Sequence, residues 1–552
     1  MPDSTPRSPT SLDVLAEEWL DTMLELTPEL HVHLGRPGRE SDYTDRSPDG
    51  VGAAADAARS MLTRVRAAEA GDAVDDVTKS ELIRTLELEL EQVEAGFWQR
   101  DLNVIASPAQ DLRDVFDLMS TGSEDDWSHV AQRMRNIPAA MAGYLDSLRI
   151  GIASGNMPAV RQVREVSAQA RKQIGSTSFF HALATSADAP ENLKSDLEAG
   201  ARAASAAYAD LVSFLDTELA PHAPEADGVG REHYALASRH FVGAEIDLDE
   251  TYEWGLEELA RMVSEQESIA AQIMPGAGVA EAIALLDADP AHKLHGTDAL
   301  QAWMQETSDR AVADLGRTHF DIPEPMRRLE CMIAPTQEGG IYYTPPSEDF
   351  TRAGRMWWSV PEGITEFDTW RELTTVYHEG VPGHHLQCGL AVHNSAEPNA
   401  WRRMSWNSGH GEGWALYAER LMSELGYLDD PADRLGMLDG QRMRAARVVV
   451  DIGVHLGKRK PDGSGTWTGD DAFGFMAQHV NMNDSFVRFE VNRYLGWPGQ
   501  APSYKVGQRI WEQLREDFVA ANGPDLKEFH RRALSVGSVG LGTLRRALLA
   551  SD

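Results

Sequence analysis

The sequence predicts a mainly α-helical fold, and three observations carry that reading. Long segments have apolar residues recurring at three- and four-residue intervals, turn-forming residues collect between them, and one short stretch has strand-like texture. The first periodic segment is Ser11–Leu26, where Leu12, Leu15, Trp19, Leu20, Met23 and Leu24 make a single buried stripe. Segments 79–98, 127–150, 160–174, 193–219 and 249–274 share that texture, with Asp, Ser, Asn, Pro and Gly between them. No fixed-period repeat marks a solenoid. Near Arg328 the pattern changes. Cys331-Met332-Ile333-Ala334 and Ile341-Tyr342-Tyr343 are apolar runs separated by Pro335 and Gly339-Gly340, which predicts two strands joined by a turn. A third run, 356–360, stops at Pro361, so a small antiparallel sheet is expected just ahead of the chemistry-bearing segment. Helical texture resumes at Asp368 and, apart from a Gly-rich interruption at 461–469, continues to the C-terminus.

Composition bounds the function. The 552 residues carry 87 acidic and 51 basic side chains, a formal charge of −36, which excludes a dedicated nucleic-acid binder. The hydrophobic fraction is 42% and the mean hydropathy −0.38, and no apolar run reaches the roughly 18 residues of a membrane span. Two cysteines, Cys331 and Cys388, are too few for a disulfide framework and lack thiolate-zinc spacing. The start, Met1 to Pro9, lacks the basic residues and apolar run of a secretory signal. The expectation is a soluble cytoplasmic protein with a disordered lead at 1–10 and no nucleic-acid or membrane partner.

The chemistry concentrates in Tyr377-His378-Glu379-Gly380-Val381-Pro382-Gly383-His384-His385-Leu386-Gln387. In a His-Glu-x-x-His site, two histidines one helical turn apart bind one metal, and the intervening Glu takes the proton of the attacking water. Here the position four residues after His378 is Pro382, which can neither ligate a metal nor sustain the helix. His384 and His385 follow at six and seven residues. On an unbroken helix, seven residues separate the two anchors by about 10.5 Å along the axis. A bulge at Val381-Pro382-Gly383 shortens that separation and returns His384 to the ligating face, with His385 the alternative ligand or supporting donor. A second helix, Gly409-His410-Gly411-Glu412-Gly413-Trp414, offers Glu412 as a carboxylate ligand and leaves a fourth position open. Glu419, seven residues on, is placed to accept a histidine N–H, or is simply a helix carboxylate.

At these residues, and at Tyr343-Thr344-Pro345-Pro346, Glu412 through Glu419, and Arg493-Tyr494 followed by Pro498-Gly499-Gln500-Ala501, the chain resembles a bacterial family known as domain of unknown function eight hundred and eighty-five. The likeness spans nearly the whole chain and implies one helical catalytic domain, 11–552, with its metal-binding core at 328–510. It further implies a gluzincin-like fold similar to carboxypeptidase Taq, oligopeptidases and angiotensin-converting enzyme. In those enzymes two helical halves enclose a deep channel, with zinc on its floor and a small sheet along one wall.

That resemblance implies a zinc-dependent hydrolase of short peptides or peptide-like amides, an oligopeptidase, dipeptidase or carboxypeptidase. Zinc would be held by His378, His384 and Glu412, with Glu379 as general base and then proton donor. Such enzymes place a tyrosine or histidine opposite the developing oxyanion. Tyr494 is the first choice, Tyr504 and His455 its rivals, and each has an ordinary structural reading as well. Arg493 could anchor a substrate carboxylate, or simply pair with Glu490 three residues back. The expected partners are a short peptide or small amide and, for the assembly, a homodimer. Two other functions stay open: a zinc enzyme that tailors a small non-peptide metabolite, and a zinc-stabilised binding protein without catalysis.

Overall fold

The computed structural model describes residues 7–186, 188–335, 340–394 and 399–549. Residues 1–6 of the expected lead, and Gly339 of the expected strand-joining turn, lie outside them.

Helices dominate, and they form where the apolar stripe repeats. Helix α1 is Ser11–Leu26, as the pattern requires, and it starts at a capping box in which Thr10 Oγ1 accepts from the Asp13 N–H while Asp13 accepts from the Thr10 N–H. The other predicted stripes become α2 (Ala73–Glu94), α3 (Glu124–Ser154), α4 (Val160–Arg171), α5 (Lys194–Phe214) and α6 (Leu248–Ile273). Helix α5 runs on into a π-turn over Leu215–Leu219, which is why its apolar pattern extends past Phe214.

The strands are β1 (Lys293–His295), β2 (Leu329–Ile333), β3 (Ile341–Thr344), β4 (Gly354–Trp358) and β5 (Glu366–Asp368). The expected antiparallel hairpin between the first two apolar runs does not form. Instead β4 lies between β2 and β3, parallel to β2 with Leu329 opposite Gly354, and antiparallel to β3 with Ile341 opposite Trp358. The sheet is therefore mixed. Strand β4 takes the centre because Gly354, Met356 and Trp358 all bury on one face, while on the other Trp357 stacks on Tyr342 and bonds Thr344. The β1–β5 pair is a separate antiparallel ribbon, clipped by Lys293–Asp368 at 2.6 Å.

After the sheet come α7 (Thr369–Glu379), α8 (His384–His393), α9 (Ser408–Glu424), α10 (Pro431–Leu456), α11 (Asp484–Gly496) and α12 (Ser503–Asn522). The largest hydrophobic core gathers these with α6 around Trp370, Trp414 and Trp511, and a second core joins α3, α4 and α5. Among the described residues, no helix is long and apolar enough to cross a membrane.

Candidate metal centre

The segment expected to be one kinked helix is two helices. Helix α7 ends at Glu379, the chain breaks over Gly380–Gly383, and α8 begins at His384. Pro382 has no N–H to continue the ladder, so the break is complete rather than a bulge. Gly383 donates to the Tyr377 carbonyl at 3.1 Å and His385 to that of Gly380 at 3.1 Å, folding the break back on itself. A side chain at Gly383 would put its Cβ 1.9 Å from the His378 carbonyl oxygen, so only glycine fits. From α9, Trp414 Nε1 donates to the Pro382 carbonyl at 2.9 Å, tying the break to the helix that carries Glu412.

This arrangement brings His378, His384 and Glu412 together, with one donor atom from each lying within 4.8 Å of the others. Glu412 Oε2 is 3.5 Å from His378 Nε2 and 3.7 Å from His384 Nε2, and the two rings stand perpendicular with centroids 4.9 Å apart. Bonds of about 2.0–2.2 Å to a tetrahedral zinc place neighbouring donors roughly 3.3–3.6 Å apart, close to the two separations from Glu412, so the cluster could hold a metal ion. The far side of His378 is fixed too: its Nδ1–H donates to Glu419 Oε1 at 2.8 Å, leaving the Nε2 lone pair free to ligate. Glu419 is held in turn by Gln441 at 3.0 Å, and Gln441 by the buried ammonium of Lys505 at 2.7 Å.

The electrostatics favour positive charge between these groups, a proton on His378 or a metal ion in its place. Burial disfavours charge on His378, yet Glu412 and Glu419 outweigh it and raise its pKa well above the usual histidine range. Burial also opposes ionisation of Glu412, but the two imidazoles hold its carboxyl far below normal. Glu379 differs: burial raises its carboxyl, and it stands outside the cluster while lining the same cavity of about 420 Å³. That cavity shares Ile341, His378, Glu379, Arg444 and Tyr504 with a larger one of about 990 Å³.

His385 is not part of the cluster. Its Nε2–H donates to the Met326 carbonyl at 2.8 Å and its Nδ1 accepts from the Tyr343 hydroxyl at 2.9 Å, so neither nitrogen is available to a metal. Tyr494 is fully buried, its hydroxyl accepting from Arg447 Nε at 2.7 Å and donating to Glu490, and it is not among the residues lining either cavity. His455 lies behind it, Nε2 to the Tyr494 carbonyl at 3.1 Å. Arg493 borders the larger cavity, but its fork is engaged by Glu490, with a further bond to Gln500. Tyr504, by contrast, lines both cavities beside Glu379, with burial pushing its phenol up to about 12.

Arg444 was missed from sequence. It lines both cavities, and its guanidinium makes no hydrogen bond or ion pair among the described residues. Its signal was present: Gln441, Arg444, Arg447, Asp451 and His455 recur at three- and four-residue spacing along α10, a polar stripe on a helix otherwise buried on nearly every side.

A profile for a bacterial protein family of unknown function, DUF885, matches residues 28–548. The chain belongs to that family. No protein of curated function matches it. Among solved structures, a candidate lipoprotein from Colwellia psychrerythraea aligns with a TM-score of 0.83 at 22% identity, covering 97% of this chain and 98% of that one. A candidate lipoprotein of unknown function from Shewanella oneidensis aligns with a TM-score of 0.77 at 18% identity, covering 98% and 100%. At such identities the likeness is one of fold. It nevertheless corrects the cytoplasmic expectation. Both of these proteins are candidate lipoproteins, and an anchor outside a folded body leaves no mark on that body's composition, so the cytoplasmic assignment is withdrawn.

Proposed function

We propose that this DUF885 member is a zinc-dependent hydrolase of short peptides or peptide-like amides. The observation that carries this reading is Glu379, adjacent to His378 in sequence, excluded from the His378–His384–Glu412 cluster, and facing the same cavity. A purely structural metal site has no need of a further buried carboxyl beside an open position. Zinc held by the three ligands supplies a Lewis acid that polarises a carbonyl and acidifies water near neutral pH.

The chain's own groups do the rest. The Glu379 carboxylate accepts a proton as the water oxygen bonds to the substrate carbon, then returns it to the amine nitrogen as the C–N bond breaks. Tyr504 donates its O–H to the carbonyl oxygen as negative charge develops there, the role for which Tyr494 was the first choice. Arg444, with no carboxylate engaged, is available to a substrate carboxylate in place of Arg493. The joined cavities, about 420 and 990 Å³, suit a short extended chain, in keeping with a channel between helical halves.

The test is metal content and turnover of a panel of free and blocked short peptides, for wild type and Glu379→Gln. The expected result is zinc in both proteins and peptide turnover lower by about 10²–10⁴-fold in the variant. Full zinc occupancy with no turnover of any peptide would transfer the site to a small non-peptide metabolite. A closed four-ligand shell in X-ray absorption would make the protein a zinc-stabilised binder.

A further inference from the structure

A second cavity, of about 520 Å³, meets the larger cavity of the metal centre at Trp497, the one lining residue they share among the described residues. Its walls are aromatic. The Phe97 ring stacks on the His233 imidazole at 3.9 Å and 11°, and Phe241 stands edge-on to Trp497 at 5.3 Å. Trp98 spends its N–H on the Val93 carbonyl at 3.2 Å, leaving its ring faces for contact.

The same cavity is lined by charged side chains without a bonded partner among the described residues. Glu89, Arg100 and Asp101 line the cavity, and none of their side chains makes a hydrogen bond or ion pair among the described residues. Elsewhere in the chain Arg447 and Arg493 share Glu490, and Asp227, at the edge of the same cavity, is held by Arg161 at 2.9 Å. Burial pushes the Arg100 guanidinium down and the Glu89 carboxyl up, with no counter-charge compensating either. Burial pushes Asp101 up to about 6 against the pull of Arg46, which lines the same cavity. Unpaired charge drawn part-way out of water is destabilising unless a ligand of opposite sign completes it.

We infer that this cavity is a second binding site for a zwitterion, an amino acid or dipeptide with an aromatic side chain, whose carboxylate meets Arg100, whose ammonium meets Asp101 and Glu89, and whose ring lies among Phe97, Trp98 and Trp497. The volume is that of a small-molecule pocket. The inference goes beyond the hydrolase reading and stands without it.

The full-length protein is titrated with L-phenylalanine, and with uncharged N-acetyl-L-phenylalaninamide, by calorimetry and tryptophan fluorescence. Saturable binding of phenylalanine alone is expected, weakened at least about tenfold by Arg100→Gln and by Asp101→Asn and unchanged by Arg444→Gln. Gln92→Trp, which fills the cavity from α2 without removing a charge, abolishes binding and serves as the measure should a charge variant fail to fold. No saturable binding to wild type, equal binding of the uncharged derivative, binding that survives Gln92→Trp, or loss in Arg444→Gln each overturns the site.

Discussion

At the residue scale, the centre depends on Glu419 as much as on the three ligands. Its carboxylate takes the His378 Nδ1–H at 2.8 Å, which selects the tautomer and aims Nε2 at Glu412. Glu419→Gln keeps the shape and removes the charge, so zinc affinity should fall about 10–100-fold in a chelator competition, with helix content unchanged. The tyrosines separate in the same way. Tyr504→Phe should lower kcat roughly 10²-fold while zinc content holds, because a donor facing the cavity is lost. Tyr494→Phe removes the hydroxyl between Arg447 and Glu490 and should instead reduce unfolding free energy by about 1–3 kcal/mol in urea, with kcat near wild type. If the two tyrosine variants exchanged these phenotypes, the oxyanion role would return to Tyr494.

At the element scale, the break between α7 and α8 makes the centre. It turns a six-residue spacing into a cluster by starting a new helix at His384, and Gly383 permits the turn. Gly383→Ala sets a Cβ against the His378 and Tyr377 carbonyls, so zinc should be lost and the melting temperature should fall, a steric penalty of more than about 2 kcal/mol. Sequence showed part of this. Pro382 announced the interruption, but choosing between His384 and His385 required the phase of the second helix, which a broken periodicity does not carry. Helices such as α1 and α4 were legible because their apolar repeat is a local property. Strand order was not: placing β4 between β2 and β3 is a long-range choice decided by packing of Met356 and Trp358. The three-residue ribbon of β1 and β5 is too short for any alternation to register.

At the scale of the whole molecule, the buried carboxyls set how stability follows pH. Asp451 on α10 accepts from the Tyr234 hydroxyl at 2.6 Å and from the Gly499 N–H at 3.0 Å, joining three distant stretches of chain. Burial raises it from 3.8 to about 7, and burial raises Glu372 and Asp433 to about 7 as well. A carboxyl whose folded pKa exceeds its unfolded value favours the fold fully below the unfolded pKa and loses that contribution as pH climbs through the folded one. Stability should therefore decline between about pH 4 and pH 7 on account of these three groups. Glu490 has the opposite sign. Burial disfavours its charge, but Arg447 and Arg493 win and lower it from 4.5 to about 2, so its contribution disappears as pH falls through that interval. Burial also lowers His233, His240, His455, His479 and His530, and their contributions disappear as pH falls below the ordinary histidine range, so the carboxyl contribution is read by difference between proteins. Asp451→Asn keeps the acceptor for Tyr234 and Gly499 but cannot ionise, so between pH 5 and pH 8 its unfolding free energy in urea should fall more, or rise less, in wild type than in the variant. An identical change in both proteins would mean that Asp451 is ionised throughout.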